Sequence, residues 1–390
     1  MARTPGGKKH RGRAAGRDVD ARAADRRASY DAGVVPWRRV ELLAFLILFS
    51  AYAYFHQGGG WNQNSRFDQI RSITEAGELH INNYMAYAPA RAADGSLRLT
   101  RVPLGDRTKI GRGKPPPNSL DLAYVDGRYY PNKPPGTTFL ALPAYAMLCG
   151  VERAIGVDAD SWRSVTVNAW LTTVLSVGLI GALGGIAFLR VSRRWFPQAP
   201  PRAHVAATLA FGLGTIIWPF ATLLFDHVPV ASFLLMSTAL IAAARDADSA
   251  RGAALRLAGA GVMAGLAVAT NYAAVLIVVP LTAYAALIVR PWARAAYVVL
   301  GGLPPAVFLG WYHQACFGKA LTIANNYQLE GFTSPEAKLL GVFDWPDAGA
   351  AVQLLFGDYR GLFVASPVLL LSIYGVWRML VHDRRRIEAG

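Results

Sequence analysis

The chain has 390 residues, of which 53% are hydrophobic and only 17% are charged. A soluble protein of this length would normally carry more charge, so the composition argues against an ordinary soluble enzyme and favours a protein with several membrane-spanning helices. The net charge is +15, but the basic residues gather beside apolar runs, as the positive-inside bias predicts. This distribution argues against nucleic acid as a partner.

Residues 1–39 are basic and contain almost no large apolar side chains, so we predict a disordered cytoplasmic tail. The apolar run 41–57 follows it. Because the basic stretch is too long for a signal peptide, we expect this run to be an uncleaved anchor helix. Cys149 and Cys316 lack metal-ligand spacing, and we expect no disulfide framework.

A long polar stretch, residues 58–136, separates the first apolar run from the rest of the chain. It mixes aromatic residues with single acids and bases and ends in Tyr-Tyr-Pro-Asn-Lys-Pro-Pro-Gly. Ionised side chains and unpaired backbone are costly in lipid, so this stretch must lie outside the bilayer core. Loops of this length are usually functional or disordered, and the aromatic residues favour a function.

The hydropathy pattern predicts an all-α multi-span membrane domain over residues 40–390. Its eight candidate spans are 41–57, 164–189, 204–224, 227–244, 255–270, 272–289, 294–312 and 361–380. The apolar segment 137–150 is short and contains Pro143. If it crossed the membrane, the later basic clusters would lie outside, so the charge bias predicts a re-entrant or membrane-surface segment and two cytoplasmic termini.

This topology predicts that four distant polar stretches share the extracytoplasmic side. They are the first loop 58–136, the Asp226-His227 turn, the Asn271-Tyr272 turn and the late loop 313–358. Polar groups that converge from distant parts of a chain are what a functional site requires.

Asp68 follows the first span closely, where we expect a helix lying on the membrane surface. Ile70, Ile73 and Leu79 would supply part of its apolar face. At this position a carboxylate can act as a general base or hold a cation. The alternative is an ordinary solvated loop charge.

Lys133 comes directly before two prolines and shares its segment with Asp121 and Tyr130. Residues before proline avoid the helical region, so the backbone of Lys133 is restricted. A lysine fixed at the headgroup level is a good partner for a phosphate. The alternative is an interfacial anchor whose ammonium reaches the headgroups.

Two further candidates are His227 and Arg360. The Asp226-His227 pair indicates either metal binding or proton transfer, or else only a tight polar turn. Arg360, at the entry of the last span, binds an anionic headgroup or anchors the helix. The chain has no Cys pair, no His-Glu-x-x-His and no Gly-rich nucleotide loop, so we expect no metal and no cofactor.

Several motifs resemble bacterial GT-C-type membrane glycosyltransferases, the superfamily of protein mannosyltransferase-like and aminoarabinose-transferase-like enzymes. The main one is the proline-rich segment from Asp121 to Pro143, with Lys-Pro-Pro-Gly at 133–136. Others are Asn-Ser-Arg at 64–66, Phe-Gly-Leu-Gly-Thr at 211–215, Ala-Gly-Leu-Ala at 264–267, Cys-Phe-Gly at 316–318 and Tyr-Arg-Gly-Leu-Phe at 359–363. The likeness covers nearly everything after residue 40, and the order of the motifs gives it its weight.

The resemblance implies a GT-C-like helical bundle in the bacterial plasma membrane and a polyprenyl-phosphate-linked sugar as donor. The catalytic carboxylate of such enzymes lies in the first extracytoplasmic loop, so by position this role falls on Asp68. Lys133 would lie near the donor phosphate, together with Arg66 or Arg360. Asp121, Tyr130 and His227 are the remaining candidates for substrate binding, and membrane lipids are expected neighbours. The acceptor, whether a glycan, a lipid or a protein, is not identified.

Two other functions stay open. Asp68 is followed by Gln69 where the proteins that the chain resembles usually have a second acid. Asn82 stands where one bacterial branch of that superfamily often has Asp. Both departures fit a non-catalytic relative or an assembly partner. A carrier of lipid-linked sugars is less favoured, because its spans should hold buried charges near the midplane, whereas the ionisable residues here lie at the span ends.

Overall fold

The computed structural model describes residues 35–95, 97–101, 117–329, 347–359 and 361–381. The chain divides into two compact units, residues 1–42 and 43–390. Of the first unit the structure describes residues 35–42, which contain the start of the first helix. The predicted tail up to residue 34 lies outside the described residues. The fold below is that of the second unit.

The described part of the chain is mostly helical, and five helices within it are long and apolar enough to cross a membrane. In chain order the helices are α1 (Trp37–Tyr54), α2 (Trp61–Ala76), α3 (Gly136–Ile155), α4 (Trp162–Trp195), α5 (Pro201–Leu213), α6 (Ile217–Ala221), α7 (His227–Arg245), α8 (Ala250–Thr270), α9 (Tyr272–Ile288), α10 (Trp292–Phe317), α11 (Ala348–Phe356), α12 (Leu362–Ala365) and α13 (Pro367–Val381). By length and composition the five are α3, α4, α7, α8 and α10, while α9 and α13 are shorter apolar helices. The helical membrane protein expected from the composition is therefore supported.

Two antiparallel hairpins in the first loop were not predicted from the sequence. The first pairs β1 (Tyr87–Arg91) with β2 (Leu97–Arg101), and the second pairs β3 (Leu122–Val125) with β4 (Arg128–Pro131). At the tip of the second hairpin Asp126 and Gly127 have φ of 47° and 81°. Two positive φ values in a two-residue loop suit the twist of paired strands, and Asp-Gly is a favoured pair there.

Two predicted spans are not single helices. Residues 204–224 divide into α5 and α6, because the chain turns at residues 214–216. Residues 361–380 divide into α12 and α13. The two breaks meet: the Ile216 backbone N–H donates to Ser366 Oγ at 2.9 Å, and Ser366 is fully buried. The hydroxyl satisfies a backbone group that the interrupted helix leaves unpaired.

The segment around Pro143 also differs from the prediction. Instead of a short interrupted piece, α3 is one continuous helix of 20 residues that contains Pro143 and ends at Gly156, which has a φ of 71°. Ala141, Tyr145 and Cys149 lie on its buried side. A continuous helix of this length is about 30 Å long, enough to span hydrocarbon, so length alone does not decide its placement.

Close backbone approach holds the later helices together. Gly261 of α8 faces the Val298 carbonyl of α10, and a side chain at Gly261 would overlap it. Small residues at such contacts let the helices of membrane proteins approach closely. Near the first loop, the Tyr52 hydroxyl of α1 donates to the Gly212 carbonyl at 3.0 Å, which ties α1 to the end of α5.

Candidate functional site

The short helix α2 delivers most of the polar side chains of the candidate site. Nine of its residues are buried, and seven of these are polar or charged: Gln63, Ser65, Arg66, Asp68, Gln69, Arg71 and Ser72. The predicted helix is present, but it is enclosed by protein rather than resting on lipid. Ile70, expected on a lipid-facing side, is fully buried and packs in the cluster that contains Phe67 and Tyr145.

Asp68 is 2% exposed, so its interpretation as a solvated loop charge is wrong. Its Oδ1 accepts a hydrogen bond from Asn118 Nδ2 at 3.0 Å. Its Oδ2 is buried and has no hydrogen-bond partner among the described residues. Burial raises the pKa of Asp68 well above its usual range, and the Asn118 hydrogen bond and the Arg71 charge only partly oppose this. A raised pKa makes the ionised carboxylate a stronger base.

Arg66 of α2 forms a buried ion pair with Asp226, which precedes α7. Its Nη2 lies 3.1 Å from Asp226 Oδ1. The second oxygen, Asp226 Oδ2, accepts from Asn271 Nδ2 at 2.5 Å, and Asn271 follows α8. The first loop, the Asp226 turn and the Asn271 turn therefore meet at one place, and the predicted convergence of these stretches is confirmed.

The charges of this network stabilise one another. Burial lowers the pKa of Arg66, and the neighbouring Asp226 and Asp121 carboxylates oppose the shift. Burial alone would raise the pKa of Asp226, but Arg66, His227 and the Asn271 amide together hold that pKa below its usual value. The carboxylates around Arg66 favour its charged form, and Arg66 in turn favours the ionised form of Asp226.

Lys133 and Asp121 lie at the edge of this network. Lys133 Nζ is 4.0 Å from Asp121 Oδ1, and the two side chains are 29% and 16% exposed. Lys133 is thus a partly accessible cation beside the buried groups. Directly after it, Gly136 begins α3 against Thr270 and Ala269, where any side chain at position 136 would overlap the α8 backbone. This contact joins the Lys-Pro-Pro-Gly segment to the Asn271 turn.

Tyr130 and His227 lie beside the network rather than at its centre. Tyr130 is buried and packs against Phe317 with ring centroids 5.5 Å apart, in an aromatic cluster with Tyr312. His227 Nδ1 lies 3.9 Å from Asp226 Oδ1, and its side chain is 58% exposed. Its ring packs against Phe220. Arg360 lies outside the described residues, so its role stays a prediction.

The amides of Gln69 and Asn82, which stand where the resemblance implies acids, have structural partners. Gln69 Nε2 donates to the Leu79 carbonyl at 2.9 Å and to the Tyr312 hydroxyl oxygen at 2.8 Å. Asn82 donates to the Gly127 carbonyl and accepts from the Tyr129 N–H, both at 2.8 Å. An acid at either position would lack the N–H that donates to a carbonyl. Both amides therefore suit the places they occupy.

Arg71 anchors the other end of α2. Its guanidinium is fully buried and lies 2.8 Å from Glu75 Oε1 and 2.7 Å from Asp160 Oδ1. It also donates to the Tyr87 hydroxyl oxygen at 3.1 Å. The Tyr145 hydroxyl of α3 donates to Glu75 Oε1 at 2.6 Å. These contacts fix α2 against α3, β1 and the loop before α4, so the position of Asp68 is well defined.

Asn118, Asp226 and Asn271 are the residues whose roles the sequence did not reveal. The turn at 226–227 was noted for its histidine, but the buried aspartate makes the ion pair. Asn118 follows residues 102–116, which lie outside the described residues, and no motif marked it. Across the part of the chain that the structure describes, no group of three His, Cys, Asp or Glu side chains is placed to hold a metal ion.

Comparison with known proteins gives this chain no relative. No protein-family model, no curated protein and no solved structure matches it. Function must therefore be argued from the geometry of these residues.

Proposed function

We propose that this chain is a membrane glycosyltransferase that moves a sugar from a polyprenyl-phosphate donor to an acceptor hydroxyl. The observation that supports this most is Asp68. It is a buried carboxylate on a firmly held helix, with one oxygen that the described protein leaves unpaired. Unpaired buried polar atoms in a well-packed region call for a partner, and an acceptor hydroxyl would supply one.

The chemistry is an inverting substitution at the anomeric carbon. The acceptor oxygen forms a bond to that carbon while the bond to the phosphate oxygen breaks, and the electron pair stays on the departing lipid phosphate. Asp68 takes the hydroxyl proton. The leaving group is already a phosphate ester, so it needs stabilisation of negative charge rather than protonation.

Lys133 is the cation best placed to meet the departing phosphate. Its side chain is partly accessible, whereas Arg66 is fully buried and paired with Asp226. In this proposal Arg66 holds the site together, and Lys133 supplies the charge. Replacing Lys133 by Met should lower kcat about 10²-fold, the usual effect of removing one such group, and Lys133→Arg should restore part of it.

We also propose that α3 stays on the side of the membrane where α2 lies. Its Tyr145 contacts Phe67 and Glu75 of α2, and Asp160 beyond its end returns to Arg71. At the start of α4, Trp170 Nε1 donates to the Ala53 carbonyl near the end of α1 at 2.9 Å. The end of α1 therefore lies beside the first turns of α4, and we place both at the same depth in the membrane.

The outer side of α3 suits a lipid interface. Met147, Val151 and Ile155 lie one turn apart and are 56%, 53% and 68% exposed. A helix with one side on protein and the other apolar and exposed fits the boundary of a bilayer. With the basic clusters on the cytoplasmic side of a bacterial plasma membrane, the α2 layer would be extracytoplasmic.

The decisive experiment measures release of polyprenyl phosphate, because this product does not depend on knowing the acceptor. Membranes containing the full chain would receive a panel of short polyprenyl-phosphate sugars. Asp68→Asn should abolish release while leaving the amount of inserted protein unchanged. The matched control is Asp158→Asn, which neutralises a partly exposed carboxylate that pairs with Arg98 and keeps an oxygen to accept from the Asp160 N–H.

The outcomes separate the alternatives. Full activity of Asp68→Asn would overturn the assignment of Asp68. Absence of release by the unmodified chain with every donor would favour a non-catalytic relative or an assembly partner. Movement of an intact lipid-linked sugar across the membrane, without release of phosphate, would indicate a carrier.

A further inference from the structure

Asn118 is held in place by its backbone, independently of its side chain. Its N–H donates to the Met85 carbonyl at 2.7 Å. Its own carbonyl accepts from Asn64 Nδ2 at 2.7 Å. Asn64 lies one helical turn before Asp68 on α2, so these contacts tie Asn118 to the same helix that carries Asp68. The amide therefore meets the carboxylate at a defined place.

Two buried oxygens at this contact have no hydrogen-bond partner among the described residues. They are Asp68 Oδ2 and Asn118 Oδ1. Leaving a buried acceptor unpaired costs about 1–3 kcal/mol, so such atoms are uncommon. The amide donor is used, since Nδ2 binds Asp68 Oδ1. The amide acceptor is not used while Asp68 is ionised.

We propose that Asn118 is a positioning residue that serves both protonation states of Asp68. This inference rests on the proposed role of Asp68 as base. In the structure Asn118 Nδ2 donates to Asp68 Oδ1, which is the arrangement that an ionised Asp68 requires. Once Asp68 has taken the acceptor proton, its O–H needs an acceptor. A half turn of the Asp68 carboxyl carries the proton from the Oδ2 side to the Asn118 side, and a half turn of the Asn118 amide then brings its Oδ1 to that proton.

The amide group is well suited to this task. It carries a donor and an acceptor on one planar group, has no charge of its own and keeps its shape when it turns. The proton gained by Asp68 stays on Asp68 and later passes to solvent or to a departing group. Asn118 itself therefore neither gains nor loses a proton. Asn118 acts through Asp68.

The test is the pH dependence of polyprenyl-phosphate release. The ionisable groups on α2 and on the elements around it include Arg66, Arg71, Glu75, Tyr87, Asp121, Lys133, Tyr145, Asp160, Asp226, His227 and Tyr312. None of them is altered by a substitution at position 118.

In Asn118→Leu the Asp68 carboxylate loses its hydrogen-bond donor. The acid limb of the pH profile of kcat should therefore move to higher pH by about one unit, with lower kcat. Asn118→Asp keeps the shape and should move the limb in the same direction, because a second ionised carboxylate opposes ionisation of Asp68.

The matched control is Asn82→Leu. Asn82 also makes two hydrogen bonds in the first loop, but to Gly127 and Tyr129 rather than to Asp68. It should lose stability and leave the acid limb in place. An acid limb that stays in place in Asn118→Asp overturns the inference, even if Asn118→Leu fails to fold. If Asp68→Asn is still inactive in that case, only the role of Asn118 fails. If Asp68→Asn is active, the proposed function fails.

Discussion

Arg66 and Asp226 are 160 positions apart in the chain, yet their side chains meet at 3.1 Å in a fully buried ion pair. This pair joins the helix that carries Asp68 to the start of α7. Asn271 holds the other oxygen of Asp226, so the end of α8 belongs to the same junction. The pair is one of several contacts that join the first loop to the later helices, together with Gln69 to Tyr312 and Gly136 against Thr270.

Breaking this pair should destabilise the protein strongly. Arg66→Met leaves Asp226 buried without its cation, which typically costs about 3–5 kcal/mol. Arg66→Met combined with Asp226→Leu leaves no unpaired charge and should cost less than Arg66→Met alone. The measurement is a double-mutant cycle of unfolding in detergent. Equal losses in the single and the double variant would contradict the ion pair as the organising contact.

The same pair makes stability depend on pH. The folded-state pKa of Asp226 is lowered, so the stability that it contributes is present above its unfolded pKa. That stability should be lost as the pH falls below the usual carboxyl range. In Asp226→Asn this part of the acid dependence should be absent, as melting temperatures measured over an acidic pH series would show.

Asp68 should behave in the opposite way. Burial raises its folded-state pKa, so ionisation works against folding. The unmodified chain should lose stability as the pH rises from the usual carboxyl range through the raised value. Asp68→Asn should therefore melt at a higher temperature at neutral pH, by about 2–4 °C for each kcal/mol removed. The difference in melting temperature between Asp68→Asn and the unmodified chain should shrink at acid pH. A lower melting temperature for Asp68→Asn at neutral pH would show that the carboxylate is a structural group.

Placing a second acid beside Asp68, at position 69, should not improve the protein. Gln69→Glu removes the N–H that donates to the Leu79 carbonyl and sets a carboxylate against that oxygen. The expected loss of stability is about 1–3 kcal/mol, with no gain in sugar transfer. Gln69→Met, which removes the amide without adding charge, is the matched control and should cost less. Higher activity in Gln69→Glu would show that the second acid is missing for functional reasons.

The placement of α3 can be measured with single cysteines. In a chain with Cys149→Ala and Cys316→Ala, the substitutions Ala93→Cys, Val157→Cys and Gln198→Cys mark the first loop, the α3–α4 loop and the α4–α5 loop. A membrane-impermeant maleimide should label positions 93 and 157 from the same side and position 198 from the other. Labelling of position 157 from the opposite side to position 93 would show that α3 crosses the membrane.

The local sequence was informative about elements whose signal is local. Apolar runs predicted most of the long helices, whereas the orientation that the basic clusters predict stays a prediction. The Asp-Gly pair at 126–127 also carried a hairpin signal that was overlooked. Apolar composition continues across the turn at 214–216 and so predicts one span over residues 204–224; the break is stabilised by Thr215, whose hydroxyl bonds within the turn, and by the distant Ser366.

By itself, the sequence predicted a mostly helical chain with apolar helices long enough to cross a membrane and a long polar stretch near its start, because burial in lipid requires apolar segments of a minimum length. It also marked Asp68 and Lys133 as candidates. Only the tertiary structure decided that Asp68 is buried, that Asn118 holds it and that Arg66 pairs with Asp226. These contacts join residues far apart in the chain, and burial and pairing are properties of packing that no local pattern contains.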